Sequence, residues 1–85
     1  MPYRIEYLEE VYPQLAKIPK NMRDAIVKAI NERLTVAPYR FKPLVFDWKG
    51  FFRMRVGDYR VIYHVRENEV TVLIVKIDSR GSVYK

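Results

Sequence analysis

The fold of this chain is decided by one stretch near its middle, which runs Phe52-Arg53-Met54-Arg55-Val56-Gly57-Asp58-Tyr59-Arg60-Val61-Ile62-Tyr63. Residues alternate on both sides of Gly57-Asp58, and such a pair is typical of a two-residue β-hairpin turn because glycine tolerates positive φ. The alternation predicts an apolar face made of Phe52, Met54, Val56, Tyr59, Val61 and Tyr63. The opposite face of the hairpin then carries Arg53, Arg55 and Arg60.

The arginine face of this hairpin allows two interpretations. In the predicted register Arg55 lies directly opposite Arg60, and like charges in that position destabilise a strand pair. An anion held between the guanidinium groups would remove the repulsion, which favours a binding site. A solvated outer face, on which Arg53 and its two neighbours simply extend into water, explains the same pattern. The sequence leaves both interpretations open.

Composition limits the size of the domain and the kind of partner. With 85 residues, 49% of them hydrophobic, we expect residues 1–85 to form a single domain around one core. The chain has no cysteine, so neither disulfides nor a thiolate metal site are expected. Its net charge is +6, and from Lys42 onward nine Lys and Arg residues oppose five Asp and Glu. This basic balance favours a polyanion, either nucleic acid or an acidic protein, over a neutral small molecule.

Membrane attachment is not expected from this sequence. No stretch approaches the ~18 apolar residues of a membrane span. The N-terminus, Met1-Pro2-Tyr3-Arg4, lacks the apolar segment of a signal peptide. We therefore predict a soluble, cytoplasmic protein with no membrane partner.

Two helices are predicted in the first half of the chain. Apolar residues at helical spacing place the first from about Glu9 to just before Pro19. The second begins at about Asn21, which would serve as its N-cap, with Asp24 in the first turn. Its inward stripe is predicted to be Met22, Ala25, Ile26, Ala29, Ile30 and Leu34.

Strands flank these helices and complete the predicted sheet. Residues 3–7 alternate as a short first strand, and residues 44–47 are predicted as an edge strand with Pro43 at its first position. The last strand spans Val70 to Ile77, with Ile77 on the arginine face. The fold class is therefore α+β: a curved antiparallel sheet, whose N-terminal strand can also pair in parallel, with two N-terminal helices packed on one face.

The side chains suited to catalysis are mainly cations. His64 is the one histidine, and no carboxylates stand at ligand spacing, so no metal site is predicted. The three glycines are far apart, which excludes a glycine-rich phosphate loop, and no cofactor is expected. Arginines that include Arg80, with Tyr84 nearby, can bind a phosphodiester and stabilise the extra charge of its transition state. With RNA the substrate's own 2′-OH can serve as nucleophile, so neither a metal nor a protein nucleophile is required.

The chain resembles the RelE toxins of the RelE/ParE superfamily of toxin–antitoxin systems. The resemblance covers nearly all of the sequence and is most specific in three segments: Phe52-Arg53-Met54-Arg55, Gly57-Asp58-Tyr59-Arg60-Val61-Ile62-Tyr63 and Ser79-Arg80-Gly81-Ser82-Val83-Tyr84. The hairpin segments are shared by the whole superfamily. Arg80 followed by Tyr84 resembles the RelE branch rather than the ParE branch.

The resemblance implies a metal-independent endoribonuclease that cuts mRNA in the ribosomal A site by 2′-OH attack. Arg53, Arg55 and Arg60 would then bind the scissile phosphate, with Arg55 and Arg60 also acting in catalysis. Arg80 would stabilise the leaving 5′-oxygen, and Tyr84 would stack on the base or orient the 2′-OH. Lysines are usual in the family where this chain has its first two arginines, and arginine is a poor general base because it stays protonated. The base is therefore left open, with Tyr84 as the residual candidate.

The resemblance also implies the partners. These are the ribosome with its mRNA and a cognate acidic antitoxin, with DNA contacted only through the antitoxin. Two alternatives remain at this stage. One is a ParE-like gyrase inhibitor that uses the same fold as a binding module, and the other is a non-catalytic relative that binds only its antitoxin and DNA.

Overall fold

The alternating stretch of residues 52–63 forms the central hairpin of the sheet. In the computed structural model, which describes residues 2–79, strand β3 (Phe51–Val56) pairs antiparallel with β4 (Tyr59–Arg66). The register places Met54 opposite Val61 and Arg55 opposite Arg60, so the predicted register is confirmed. Gly57 has a φ of 59° at the turn, the left-handed region that glycine adopts without steric cost.

Three further strands extend this hairpin on both sides. Strand β5 (Thr71–Ser79) pairs antiparallel with β4, and β1 (Arg4–Tyr7) pairs in parallel with β5. The short strand β2 (Lys42–Pro43) pairs antiparallel with β3. The strand order is β1-β5-β4-β3-β2, and the α+β class is confirmed. The parallel pair settles the orientation that the sequence had left open for the N-terminal strand.

Two helices cover one face of the sheet and close the core. Helix α1 spans Val11–Ala16, and α2 spans Lys20–Ala29, with a π-helical turn over Ile30–Leu34. Ile26 and Ile30 are fully buried in one cluster with the apolar face of the hairpin. The core consists of Val11, Leu15, Ile18, Ile26, Ala29, Ile30, Leu34, Met54, Val61, Tyr63, Val65, Val72, Ile74 and Ile77.

The start of α2 and one position on its inner face differ from the sequence-based expectation. Pro19, not Asn21, occupies the N-cap position, because a residue without an N–H loses nothing at a helix start, where amides have no intrahelical partner. Ala25 is exposed rather than inward, and Val27 packs against the core instead.

A β-bulge in β5 corrects the predicted face of Ile77. Ile62 pairs with Lys76 while the next residue, Tyr63, pairs with Ile74, so Val75 is an extra residue on this strand. A bulge of this kind switches the alternation beyond it. Ile77 therefore points into the core, where it is 3% exposed, and the prediction that placed it on the arginine face was wrong.

The predicted edge strand over residues 44–47 was also wrong. Pairing stops at Pro43, except that the Leu44 amide donates to the carbonyl of Phe51. The chain then enters a 3-10 turn over Phe46–Trp48. Phe46 has a φ of 57°, which is incompatible with an extended strand.

Candidate functional site

The three hairpin arginines share the face of the sheet that the helices leave uncovered. Arg55 and Arg60 are directly opposite each other, and Arg53 lies one pleat along β3, on the same side. Their surroundings differ, since Arg55 is exposed, Arg53 is half-buried and Arg60 is only 9% exposed. The sheet backbone therefore brings together the three arginines named from the sequence.

Two lysines that the sequence analysis did not single out join this cationic face. Lys42 of β2 lies beside Arg53, which is itself opposite Ile62, and Lys76 lies on the other side of Ile62. One row across four strands thus contains three cations around a fully buried isoleucine. The sequence analysis missed Lys42 because it placed the edge strand at residues 44–47. It missed Lys76 because the bulge at Val75 changes which residues of β5 lie on this face.

Carboxylates balance part of this charge. Asp78 of β5 is paired with Arg60 in the strand register, and its Oδ2 lies 3.7 Å from Nζ of Lys76. The cationic face, as we use the term below, consists of Lys42, Arg53, Arg55, Arg60 and Lys76. Its five cations outnumber the carboxylates beside them, which are Asp78 and, near Lys42 and Arg53, Asp47. The face is therefore positive, as a polyanion-binding surface requires.

Burial makes Arg60 the most constrained member of the cationic face. A guanidinium retains its charge at all accessible pH values, and moving a charge out of water is costly unless the fold supplies compensating interactions. A cation held at 9% exposure therefore has a fixed position, whereas the exposed side chain of Arg55 can adapt. Fixed charge of this kind is what transition-state stabilisation needs.

An aromatic row borders the cationic face along β3. The rings of Trp48 and Phe51 meet edge to face with centroids 5.5 Å apart, and Phe51 contacts the ring of His64 at 5.3 Å. Phe51 and His64 are direct cross-strand partners. His64 thus belongs to a ring cluster.

Tyrosines on the opposite side of the molecule serve a structural purpose. Glu67 Oε1 accepts hydrogen bonds from the hydroxyls of Tyr3 at 3.0 Å and Tyr39 at 2.6 Å. These bonds lower the pKa of Glu67 and raise the pKa of Tyr39 to about 12. The hydroxyl of Tyr63 donates to the carbonyl of Pro38 at 2.7 Å, and burial raises its pKa. Together they hold the N-terminus, the loop after the π-helical turn and the β4–β5 turn in place.

Two of the predicted catalytic residues, Arg80 and Tyr84, lie outside the described residues. The described part of β5 ends at Ser79, which is paired with Tyr59, and the preceding pair joins Asp78 to Arg60. The roles of Arg80 and Tyr84 therefore remain predictions.

Residues 2–79 contain neither a metal-ligand cluster nor a membrane-spanning helix. That range contains no group of three or more His, Cys, Asp or Glu side chains arranged to hold a metal ion. No helix within it combines the length and apolar character that a membrane crossing needs.

Comparison with known proteins identifies the class to which this chain belongs. A family model described as "ParE toxin of type II toxin-antitoxin system, parDE" matches residues 3–84. The toxin RelG of Mycobacterium tuberculosis is 31% identical over 86 residues, an alignment that covers 100% of this chain and 99% of that protein.

Solved structures agree with the sequence comparisons. The RelBE2 toxin–antitoxin complex of M. tuberculosis contains a chain that superposes with a TM-score of 0.88 at 31% identity, covering 94% of this chain and 100% of that chain. The archaeal RelE–RelB complex of Pyrococcus horikoshii gives a TM-score of 0.76 at 28% identity, with 98% and 100% coverage. The fold is that of a toxin of a type II toxin–antitoxin system. Within that class, the chain belongs to the RelE family of the RelE/ParE superfamily.

Proposed function

We propose that this toxin is a ribosome-dependent endoribonuclease that cleaves mRNA in the ribosomal A site. The observation that carries the proposal is the position of Arg53, Arg55 and Arg60 together on the sheet face opposite the helices, with Arg60 only 9% exposed. Such a face suits a phosphodiester whose charge increases in the transition state. The similarity of the whole chain to relatives named RelG and RelE supports the same reaction. Action on ribosomes places the protein in the cytoplasm.

The proposed reaction is an internal transfer that needs no added nucleophile. The 2′-oxygen loses its proton and attacks the adjacent phosphorus, while the bond from phosphorus to the 5′-oxygen breaks. The products are a 2′,3′-cyclic phosphate and a 5′-hydroxyl, which has gained a proton. Arg55 and Arg60 neutralise the non-bridging oxygens as negative charge builds up, and Arg53 holds the ground-state phosphate. Arg80 stabilises the leaving oxygen, and Tyr84 orients the 2′-OH or accepts its proton.

The proposed partners follow from the same surface. Solved relatives in this family were crystallised as complexes with RelB antitoxins. We infer that an acidic, amphipathic antitoxin segment folds onto this chain, by packing a helix or by adding a strand to a sheet edge. The five residues of the cationic face supply complementary charge, and DNA would be contacted through the antitoxin alone.

Gyrase inhibition is the second candidate function. The matching family model carries the description of ParE toxins, and the hairpin that defines the fold is shared across the superfamily. In that case the arginine face would bind protein and perform no chemistry. A third reading, a relative without either activity, predicts that neither assay below responds.

The test is a paired assay on the purified full-length chain. Cleavage is measured on ribosomes programmed with a defined mRNA, and the 3′ ends are examined for cyclic phosphate. DNA supercoiling by gyrase is measured at the same protein concentrations. Codon-dependent cleavage with unaffected supercoiling is the expected result. Inhibited supercoiling without cleavage would overturn the proposal in favour of the ParE-like function.

A further inference from the structure

An exposed aromatic turn lies next to the cationic face and has no role in the core. In the 3-10 turn over Phe46–Trp48, the side chain of Phe46 is 90% exposed, and the adjacent Val45 is 62% exposed. Phe46 also has a φ of 57°, a conformation that a bulky residue adopts only at a cost in free energy. The fold thus holds a large apolar ring in water at the expense of local strain. Strained positions of this kind are concentrated at ligand-binding sites.

This turn forms one wall of a groove whose other wall belongs to the cationic face. The groove is lined by Lys42 and Arg53 as well as by Phe46, Asp47 and Trp48. It combines two aromatic rings with two cations and one carboxylate, for a net charge of +1. Arg53 lines the groove and also belongs to the cationic face, so the two surfaces are continuous.

The tryptophan ring in this groove is held in a defined orientation. Trp48 is half-buried, and its ring meets Phe51 edge to face with centroids 5.5 Å apart and planes at 85°. Phe51 is in turn fixed in strand β3 against His64. A ring fixed in this way offers a stacking surface without first losing much side-chain freedom, which is an advantage in binding.

We propose that this groove binds one nucleobase of single-stranded RNA, with the base stacked on Trp48 and Phe46. Lys42 and Arg53 hold the neighbouring phosphate, so that the RNA backbone continues across the cationic face to Arg55 and Arg60. Aromatic platforms beside cations are the general means of holding single-stranded nucleic acid. The inference rests on the proposed function, since it extends the path of the same RNA beyond the scissile phosphate. Cations at the groove fit a phosphate-bearing ligand better than a purely apolar peptide.

The test uses the fluorescence of Trp48, the single tryptophan of the chain. The full-length protein is titrated with a short single-stranded RNA that carries 2′-O-methyl groups throughout, so that it cannot be cleaved. We expect saturable quenching, because a stacked base contacts the indole directly. An oligonucleotide of equal length and charge whose sugars lack bases is expected to leave Trp48 fluorescence unchanged. Equal quenching by both probes would show that phosphates alone are sensed, and would overturn the proposal.

Two substitutions at Phe46 separate loss of the ring from disturbance of the backbone. Phe46→Ala removes the ring, and Phe46→Asn removes it while retaining a residue that tolerates positive φ. Both should weaken binding of the methylated RNA by about 5-fold to 100-fold, the range expected for one lost base-stacking contact. Tyr12→Ala is the matched control, since Tyr12 is a 57% exposed aromatic on α1, far in sequence from the groove, and should bind as the parent does. Unchanged affinity in both Phe46 variants would overturn the proposal.

Failure of this inference can be distinguished from failure of the proposed function. A chain that cleaves mRNA on ribosomes but shows no quenching of Trp48 retains the proposed function and has no base site in this groove. A chain that binds the methylated RNA through Phe46 but cleaves nothing has the site without the reaction. If Phe46→Ala instead weakens antitoxin binding and leaves RNA binding intact, the groove belongs to the antitoxin and the proposal is wrong.

Discussion

The side chain of Gln14 accepts a hydrogen bond from the backbone amide of Ile77, with 2.8 Å between Oε1 and N. Gln14 lies in α1 and Ile77 lies just beyond the bulge in β5, so the bond joins a helix to the irregular part of the central sheet. It satisfies a partly buried amide of the bulged strand and fixes where β5 continues past Val75. The end of that strand lies beside Arg60, which links helix packing to the geometry of the cationic face.

Removing this acceptor should destabilise the protein. Gln14→Leu leaves the Ile77 amide without its acceptor, and we expect the free energy of unfolding to fall by about 1–3 kcal/mol. Gln14→Glu preserves an oxygen at the same position and should lose much less at neutral pH. Urea denaturation followed by circular dichroism measures both. Equal losses in the two variants would mean that side-chain packing, not the hydrogen bond, accounts for the effect.

Packing of the hydrophobic core is tested at Val61, which is fully buried opposite Met54. Val61→Ala removes two methyl carbons from a close-packed interior, and we expect a loss of about 1–3 kcal/mol through cavity formation. Val36→Ala is the control because Val36 is 75% exposed, and its effect should stay within about 0.5 kcal/mol. Equilibrium denaturation of both variants provides the comparison, and a Val61 variant as stable as the control would contradict the packing described here.

The hydrogen bonds to Glu67 predict how stability depends on pH at both extremes. Because the hydroxyls of Tyr39 and Tyr3 lower the pKa of Glu67 in the folded state, the contribution of Glu67 is present above its ordinary pKa of about 4.3 and declines as the pH falls through its folded value. The pKa of Tyr39 is raised to about 12, so its contribution is present below pH ~10 and is lost between about 10 and 12.

Two variants test the acidic pH range of Glu67 and the basic pH range of Tyr39 separately. Glu67→Gln should be less stable than the parent at pH 7, with the difference shrinking as the pH falls below about 4. Tyr39→Phe should differ from the parent at pH 9, and the difference should disappear as the pH approaches 12. Glu9→Gln, a change at another exposed carboxylate, is the control for general charge effects. Thermal unfolding across the pH range measures all three, and a Glu67 difference that persists unchanged at pH 3 would contradict the hydrogen-bond assignment.

Much of this architecture could be predicted because local patterns determine it. The alternation around Gly57-Asp58 establishes the β3–β4 register without reference to distant residues, and it already places Arg53, Arg55 and Arg60 on one face. The helical stripes of α1 and α2 are equally local. In these elements the apolar residues repeat every 2 or 3.6 residues, and this repeat can be read directly from the sequence.

The features that could not be predicted depend on tertiary pairing. The bulge at Val75 lies in the pairing of β5 with β4, close to the hydrogen bond from Ile77 to Gln14. The alternation of residues 70–77 gives no sign of it. The edge strand lies at Lys42–Pro43 rather than at residues 44–47 because β3, with which it pairs, begins at Phe51. These two irregularities bring Lys42 and Lys76 to the cationic face, which explains why both were missed.

Antitoxin binding should depend on salt if the cationic face contributes. Raising the NaCl concentration from about 0.1 M to about 1 M shortens the Debye length from about 10 Å to about 3 Å, and we expect affinity to fall several-fold. Arg55→Gln should bind more weakly at low salt and show a smaller salt dependence, because one exposed cation of the face is lost. Lys28→Gln removes an exposed charge from α2 and should behave as the parent does. Calorimetry with the product of the adjacent gene measures each case, and a salt-independent affinity would argue for an apolar interface elsewhere.

The catalytic proposal is tested by variants of Arg80, Arg60 and Tyr84 on programmed ribosomes. Arg80→Ala should lower mRNA cleavage by roughly 10²–10³-fold, comparable to loss of one transition-state donor, while leaving thermal stability and antitoxin binding close to the parent's. Tyr84→Phe removes the hydroxyl alone. A small effect would assign Tyr84 to stacking on the base, and a large one would assign it to orientation of the 2′-OH or to proton transfer.

Arg60→Ala should lower the cleavage rate similarly and also raise KM, since its guanidinium would bind the ground-state phosphate as well as the transition state. Because Arg60 is buried, Arg60→Lys is measured beside it; this variant retains the charge, and its thermal unfolding separates lost catalysis from lost folding. Arg66→Ala is the matched control, an exposed arginine on the same strand that lies 3.7 Å from Glu69, and it should cleave as the parent does. If Arg80→Ala and Arg60→Ala both cut as fast as the parent, the arginine face performs no chemistry, and the gyrase-type or binding-only function takes precedence.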